Sequence, residues 1–351
     1  MEKAVSAPYA FLALHPVDFF QFTEPGAPMV TIGVVLHEKI KKREMSEHMH
    51  KIFKVLGFPN CGGEVMQIAV SGGKGGTGKS TVAVNLAMAL REYFDLALAD
   101  LDVEAPNDHI LLGVELQNEE PVHMFMPRFD YSKCIKCRKC AEVCGENAII
   151  TMRDGTPFLM PTLCSGCRAC EIVCPVTGAI LEGEKLMGHT YFTETPYEFP
   201  LVTGKLLEGE ERALPIVTAA KKRAKALNKE LLLVDTAAGT SNTVSKALED
   251  SKLLIAVTEP TPLGLHDLTL ILELAKLMGI EAWVVVNRAD IGEKKRVKEM
   301  VQKYNAGIVG EIPYSEAIIR SYVKGEPIVL TDKKEAKIFK DLAERVANYL
   351  G

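Results

Sequence analysis

Gly73-Lys74-Gly75-Gly76-Thr77-Gly78-Lys79-Ser80 is the stretch that decides the fold. Its G-x-x-x-x-G-K-S spacing is that of a phosphate-binding P-loop. It lies between a short β-rich run, Gln67–Ser71, and a helical pattern from Lys79 to Arg91, the context the motif requires. Glycines allow backbone N–H groups to converge on phosphate oxygens, and the following helix adds its positive end. Lys79 is then placed to neutralise the β- and γ-phosphates, Ser80 to ligate Mg2+, and Thr81 to extend the binding run. A glycine-rich turn with no ligand would account for neither the Lys-Ser pair nor the flanking strand and helix.

Outward from the loop, the apolar runs Leu96–Ala99, Leu231–Val234, Leu253–Thr258 and Ala282–Val286 read as buried parallel strands. Helical segments such as His266–Met278 and Glu293–Tyr304 separate the later ones. Alternating βα units predict an α/β fold, a P-loop NTPase with a mostly parallel sheet and helices on both faces. The last helix, Lys333–Leu350, places Ile338, Phe339, Leu342, Val346 and Leu350 on one face, expected to dock on that sheet. Residues 1–64 form an N-terminal extension of unassigned role. Val30–Val35 reads as a strand there, His37–Leu56 as a charged helix, and Gly57–Gly63 as a boundary. His37, His48 and His50 are expected to face solvent.

A chain of 351 residues predicts about two domains. Hydrophobic residues at 47% and charged residues at 25% are near globular averages, which excludes a disordered chain, a collagen-like fibre and a coiled coil. A net charge of −5 argues against nucleic-acid binding driven by phosphate contacts. No stretch of about 18 consecutive apolar residues is present, and the N-terminus lacks a signal-peptide pattern. A cytoplasmic protein with neither nucleic acid nor membrane as partner is expected.

Eight of the nine cysteines fall between Cys134 and Cys174. Disulfide frameworks of such density belong to small secreted domains without a core, so clustered thiols here read as metal ligands. They form an internal repeat: Cys134, Cys137, Cys140 and Cys144 recur 30 positions later as Cys164, Cys167, Cys170 and Cys174. The tails Asn147-Ala148-Ile149 and Gly178-Ala179-Ile180 correspond after a one-residue slip. Both runs resemble the bacterial ferredoxin pattern, C-x2-C-x2-C-x3-C. That resemblance implies a first 4Fe-4S site on Cys134, Cys137, Cys140 and Cys174, and a second on Cys164, Cys167, Cys170 and Cys144. In each, the fourth ligand crosses from the other repeat. Paired zinc sites are the alternative, since thiolates also suit zinc. Gly145 stands where the second copy has Pro175. The organisation expected is a P-loop domain over residues 65–127 and 186–351, with an inserted two-cluster ferredoxin domain over 128–185.

Lys74 distinguishes the loop from an ordinary P-loop. Lys74-Gly-Gly-Thr-Gly-Lys79-Ser80 resembles the deviant Walker A of the MinD/Mrp/ParA and nitrogenase iron-protein class. There the second lysine reaches a partner subunit's nucleotide, so the resemblance implies a homodimer closed around ATP. Asp100-Leu101-Asp102-Val103-Glu104-Ala105-Pro106-Asn107 resembles the switch I segment, with Asp100 organising Mg2+ and Asp102 orienting the attacking water. Leu231–Asp235 with Thr236-Ala237-Ala238-Gly239-Thr240 resembles Walker B and switch II, Asp235 facing the hydrated metal. Many Mrp-like relatives have two prolines at Ala237 and Ala238. Asn287 resembles the adenine-reading position, where an amide both donates to and accepts from the base.

The combination resembles MinD-superfamily ATPases with an inserted ferredoxin domain. It implies an ATP-hydrolysing iron–sulfur protein that couples dimer switching to carriage or assembly of clusters, with an acceptor apoprotein or redox partner. The C-terminal Cys-x-x-Cys of Mrp-type carriers has no counterpart, because no cysteine follows Cys174. Cys61 supplies one thiolate and reads as a structural thiol. ATP-gated electron transfer through the module is the alternative, and a MinD/ParA-like positioning switch the second.

Overall fold

The computed structural model describes residues 65–73 and 75–351. The expectations for Val30–Val35, His37–Leu56, the three N-terminal histidines, Cys61 and Lys74 lie outside the described residues.

Eleven strands are described: β1 (Met66–Ser71), β2 (Leu96–Leu101), β3 (Glu120–Phe129), β4 (Ile149–Thr151), β5 (Pro157–Leu159), β6 (Ile180–Glu194), β7 (Pro200–Leu206), β8 (Leu231–Thr236), β9 (Ser251–Thr258), β10 (Glu281–Asn287) and β11 (Gly307–Ile312). Nine build one sheet in the order β11-β10-β9-β1-β8-β2-β7-β6-β3, while β4 and β5 pair separately. From β11 across to β7 the neighbours run parallel. β6 and β3 then continue the sheet antiparallel. The central strands are buried on both faces, which is why they read as continuous apolar runs rather than alternating ones. Within β1, Ile68 and Val70 enter one core and Ala69 the other; in β8, Leu231 and Leu233 oppose Leu232 and Val234 in the same way.

The helix Lys79–Leu90 is apolar nearly all round because it lies between layers, with the sheet beneath it and the terminal helix above. The terminal helix Lys333–Leu350 starts on Asp332, whose carboxylate accepts the N–H groups of Lys334 (2.8 Å) and Glu335 (3.1 Å). Its Phe339, Leu342 and Val346 are buried as expected, and this face packs chiefly on the helix Lys79–Leu90 while reaching the sheet at its edge, at β11 and at Trp283 of β10. A helix already covering the central strands leaves no bare sheet for it. The second departure is the antiparallel extension. β6 carries Glu182, Glu184 and Lys185 among its apolar residues, so it has no uninterrupted apolar run to announce it.

β3 and β6 pair from Glu120↔Thr190 to Phe129↔Ile180, and the whole cysteine segment hangs from the end of that ribbon. Short helices Lys139–Glu142 and Ala169–Ile172 and the β4–β5 pair complete it. The repeat seen in the sequence is repeated in the backbone. Lys136 and Gly166, Arg138 and Arg168, and Asn147 and Gly178 all have φ between 53° and 74°. The one-residue slip falls between the same tails in structure as in sequence.

Candidate nucleotide site and candidate metal centre

The glycine-rich loop joins β1 to the helix Lys79–Leu90. Gly78 holds φ 90°, a left-handed turn that brings the chain into the helix, and a β-carbon there would lie 2.4 Å from Asn287 Nδ2. The Asn287 amide donates to the carbonyl of Thr77 at 2.8 Å, which ties the end of β10 to the loop. A β-carbon on Gly72 would lie 2.5 Å from the carbonyl oxygen of Val257, so β9 closes the loop's other flank. Gly73 is as tightly set against Asp267, on the helix Pro262–Met278. Gly75 and Gly76 are open to solvent. The segment after β8 is tied in too: Gly239 N–H donates to the carbonyl of Gly72 (3.1 Å), and the Thr236 hydroxyl donates to the hydroxyl of Ser71 (2.7 Å). Thr81 begins the helix's second residue pair, its carbonyl accepting from the Asn85 amide at 2.8 Å.

β2 and β8 pair in register with Asp100 opposite Asp235, so the two carboxylates leave the sheet side by side. Burial pushes the Asp235 carboxyl up to about 7, while the neighbouring Ser80 hydroxyl and the Lys79 ammonium pull it back. Burial also raises Asp102, again opposed by Lys79. Lys79, Ser80, Asp100, Asp102 and Asp235, drawn from three separate stretches of sequence, thus share one electrostatic neighbourhood. The structure adds a residue that the sequence reading passed over. One carboxylate oxygen each from Asp100, Asp108 and Asp235 lie within 4.8 Å of one another, and all three residues are fully buried. Burial and the mutual repulsion of these acids hold Asp100 and Asp108 well above the ordinary carboxylate range. Asp100 accepts backbone N–H groups, but the buried Asp108 carboxylate meets no donor in good geometry among the described residues, and a buried acid so placed suits a bound cation.

The eight cysteines are unpaired thiols that line two cavities. Cys134, Cys137, Cys140 and Cys174 face one; Cys164, Cys167, Cys170 and Cys144 face the other. Each cavity therefore takes three thiols from one repeat and one from the other. Phe125, Ile149 and Ile180 form a small apolar core between them, against which Cys140, Cys144, Cys170 and Cys174 pack. Burial pushes the Cys170 thiol up to about 11 and raises Cys140 as well. Among the described residues no three cysteine sulfurs come within 4.8 Å of one another.

The profile of the CobQ/CobB/MinD/ParA nucleotide binding domain matches residues 68–328. The chain belongs to this family. It is a P-loop ATPase, and its sheet and loop carry the family's α/β fold. An uncharacterized protein of Methanocaldococcus jannaschii, MJ0579, is 34% identical over 288 residues, 82% of this chain and 98% of its own. An iron-sulfur cluster carrier protein of Pyrococcus horikoshii is 26% identical over 305 residues, 81% of this chain and 86% of its own. Among solved structures, the septum site-determining protein MinD from Pyrococcus horikoshii, in complex with Mg-ADP, has a TM-score of 0.50. It is 20% identical, covers 82% of this chain and 98% of that one, and shares the fold. No helix among the described residues is long and apolar enough to cross a membrane.

Proposed function

We propose that this ATPase carries two 4Fe-4S clusters and couples its nucleotide cycle to their carriage or assembly. The observation that carries the reading is the pair of crossed cysteine quartets, each lining its own cavity. A cubane spreads its four thiolates because each binds a different iron. The cluster carrier among the relatives supports the same direction.

In the nucleotide site, Lys79 would balance the β- and γ-phosphate charge, and Asn287 would exchange its bond to Thr77 for one to the base. Ser80 and Asp235 would hold Mg2+, which supplies charge neutralisation at the phosphates. Asp102 would orient a water towards the γ-phosphorus; the water oxygen forms the new P–O bond as the bond to ADP breaks. Two chains would close around the nucleotide, with Lys74 reaching across.

A contiguous route runs from that site to the cysteines. Val103 follows Asp102, and its carbonyl accepts the Leu206 N–H at 2.8 Å. Leu207 next along donates to the Met187 carbonyl in β6 at 3.0 Å. Three residues on, Glu210 pairs with Lys185, and the Arg212 guanidinium donates to the carbonyl of Leu163 at 2.7 Å, next to Cys164. Loss of the γ-phosphate from the Asp100–Asn107 loop would therefore be felt first at the second quartet.

The test is anaerobic reconstitution followed by mixing with an apo-acceptor under ATP or ADP. Loss of cluster absorbance matched by a gain in the acceptor, and dependent on the nucleotide, is the expected result. Clusters that stay in place with nucleotide-dependent reduction kinetics would favour ATP-gated electron transfer instead. The apolar core shared by both quartets suits such a relay.

A further inference from the structure

Asp108 opens the helix Asp108–Leu111 and is fully buried. Neither of its carboxylate oxygens has a hydrogen-bond donor in good geometry among the described residues, and the donors beside Asp235 are the Ser80 hydroxyl and the Thr236 N–H. Asp100 differs. Its Oδ1 accepts the Asp102 N–H at 3.2 Å, and its Oδ2 accepts those of Asn107 (2.9 Å) and Asp108 (3.0 Å). The three convergent acids are thus unequal. Asp100 is committed to folding the loop that presents Asp108, while Asp108 keeps both of its oxygens unsatisfied beside the carboxylate of Asp235.

Two buried acids this close repel once both are ionised, and each has lost its hydration. A cation between them offsets both costs. The donor set is oxygen only, with the Ser80 hydroxyl beside Asp235, which selects a hard divalent ion over the thiophilic metals that suit the cysteines. Nucleotide-site Mg2+ usually rests on one or two carboxylates and the substrate's phosphates. Here the protein itself brings enough oxygen to hold the ion without phosphate.

We propose that Asp108 and Asp235 form a divalent-cation site that loads in the absence of nucleotide, with Asp100 as its positioning residue. The proposal rests on the ATPase site and is independent of the cluster reading. Equilibrium dialysis of Mn2+ against the nucleotide-free, full-length protein tests it. A single Mn2+ per chain, displaced by Mg2+, is expected. Asp108→Asn should weaken it by at least about ten-fold. Glu104→Gln, which removes an exposed charge from the same loop, should leave it unchanged. Unaltered binding by Asp108→Asn would overturn the assignment. So would a wild-type chain that takes up Mn2+ only once nucleotide is added, and that result stands whether or not the variant folds.

Discussion

Leu206 donates its backbone N–H to the carbonyl oxygen of Val103 at 2.8 Å, and Val103 directly follows Asp102. A β-carbon on Gly204, two residues before Leu206, would lie 2.6 Å from Val103 Cγ1, so β7 and the loop after β2 approach as closely as a glycine permits. A shift of that loop cannot leave β7 in place. The onward contact from Arg212 to Leu163 makes its consequence measurable.

Arg212→Ala removes that contact, a hydrogen bond worth about 1 kcal/mol. ATP hydrolysis should stay near the wild-type rate, while the difference between ATP and ADP in the spectrum of the second cluster should shrink. EPR of the reduced protein in both nucleotide states checks this; an unchanged difference would show that coupling takes another route.

Lys79→Ala should lower ATP turnover by about 10^2-fold or more, since it removes the main charge opposing the phosphates. Phosphate release measures the loss. Iron content should be unaffected, because Lys79 lines neither of the two cysteine cavities. Lys74→Ala should instead reduce ATP-dependent dimer formation, read by light scattering, more than nucleotide binding by the single chain.

Cys144→Ser should disturb the cluster held by Cys164, Cys167 and Cys170, although Cys144 belongs to the other repeat. Its sulfur lines that cavity and accepts the Ala148 N–H at 3.2 Å. Iron counting with Mössbauer spectroscopy should show one intact and one altered cluster. Damage confined to the Cys134 side would reverse the assignment.

The acids beside the phosphate loop predict a pH effect of unusual sign. Asp235 is raised to about 7 by burial, and Asp100 and Asp108 are raised as well. Without metal, the folded chain therefore binds more protons than the unfolded chain between the ordinary carboxylate range and about pH 7. Stability must fall as pH rises through that window. The metal-free protein should melt higher at about pH 6 than at about pH 8, and added Mg2+ should raise the melting temperature more at the higher pH. Calorimetry with and without Mg2+ measures both differences.

The glycine-rich loop and the doubled cysteine run were readable from sequence because each packs its chemistry into a few consecutive residues at fixed spacing. Asp235 and Asn287 were readable because each sits where an apolar strand ends. Asp108 was not, since an aspartate at the start of a short helix reads as an ordinary N-terminal acid. Only the return of the chain onto β8 reveals its unsatisfied carboxylate beside Asp235. The faint signal was the Leu111-Leu112 pair behind it, both of which are buried. Arg212 and Leu163 lie 49 positions apart, and no local pattern foretells a guanidinium meeting a distant carbonyl.

Phe129 and Ile180 are register partners at the tip of the β3–β6 ribbon, and Asp130 N–H still meets the Ala179 carbonyl at 2.9 Å. Everything between those positions leaves and re-enters through one narrow doorway. A tight reverse turn could bridge it, leaving the nine-stranded sheet without the cysteine segment. The molecule is thus built like a socket, and swapping what is plugged into it separates the work of hydrolysis from the work of the cargo.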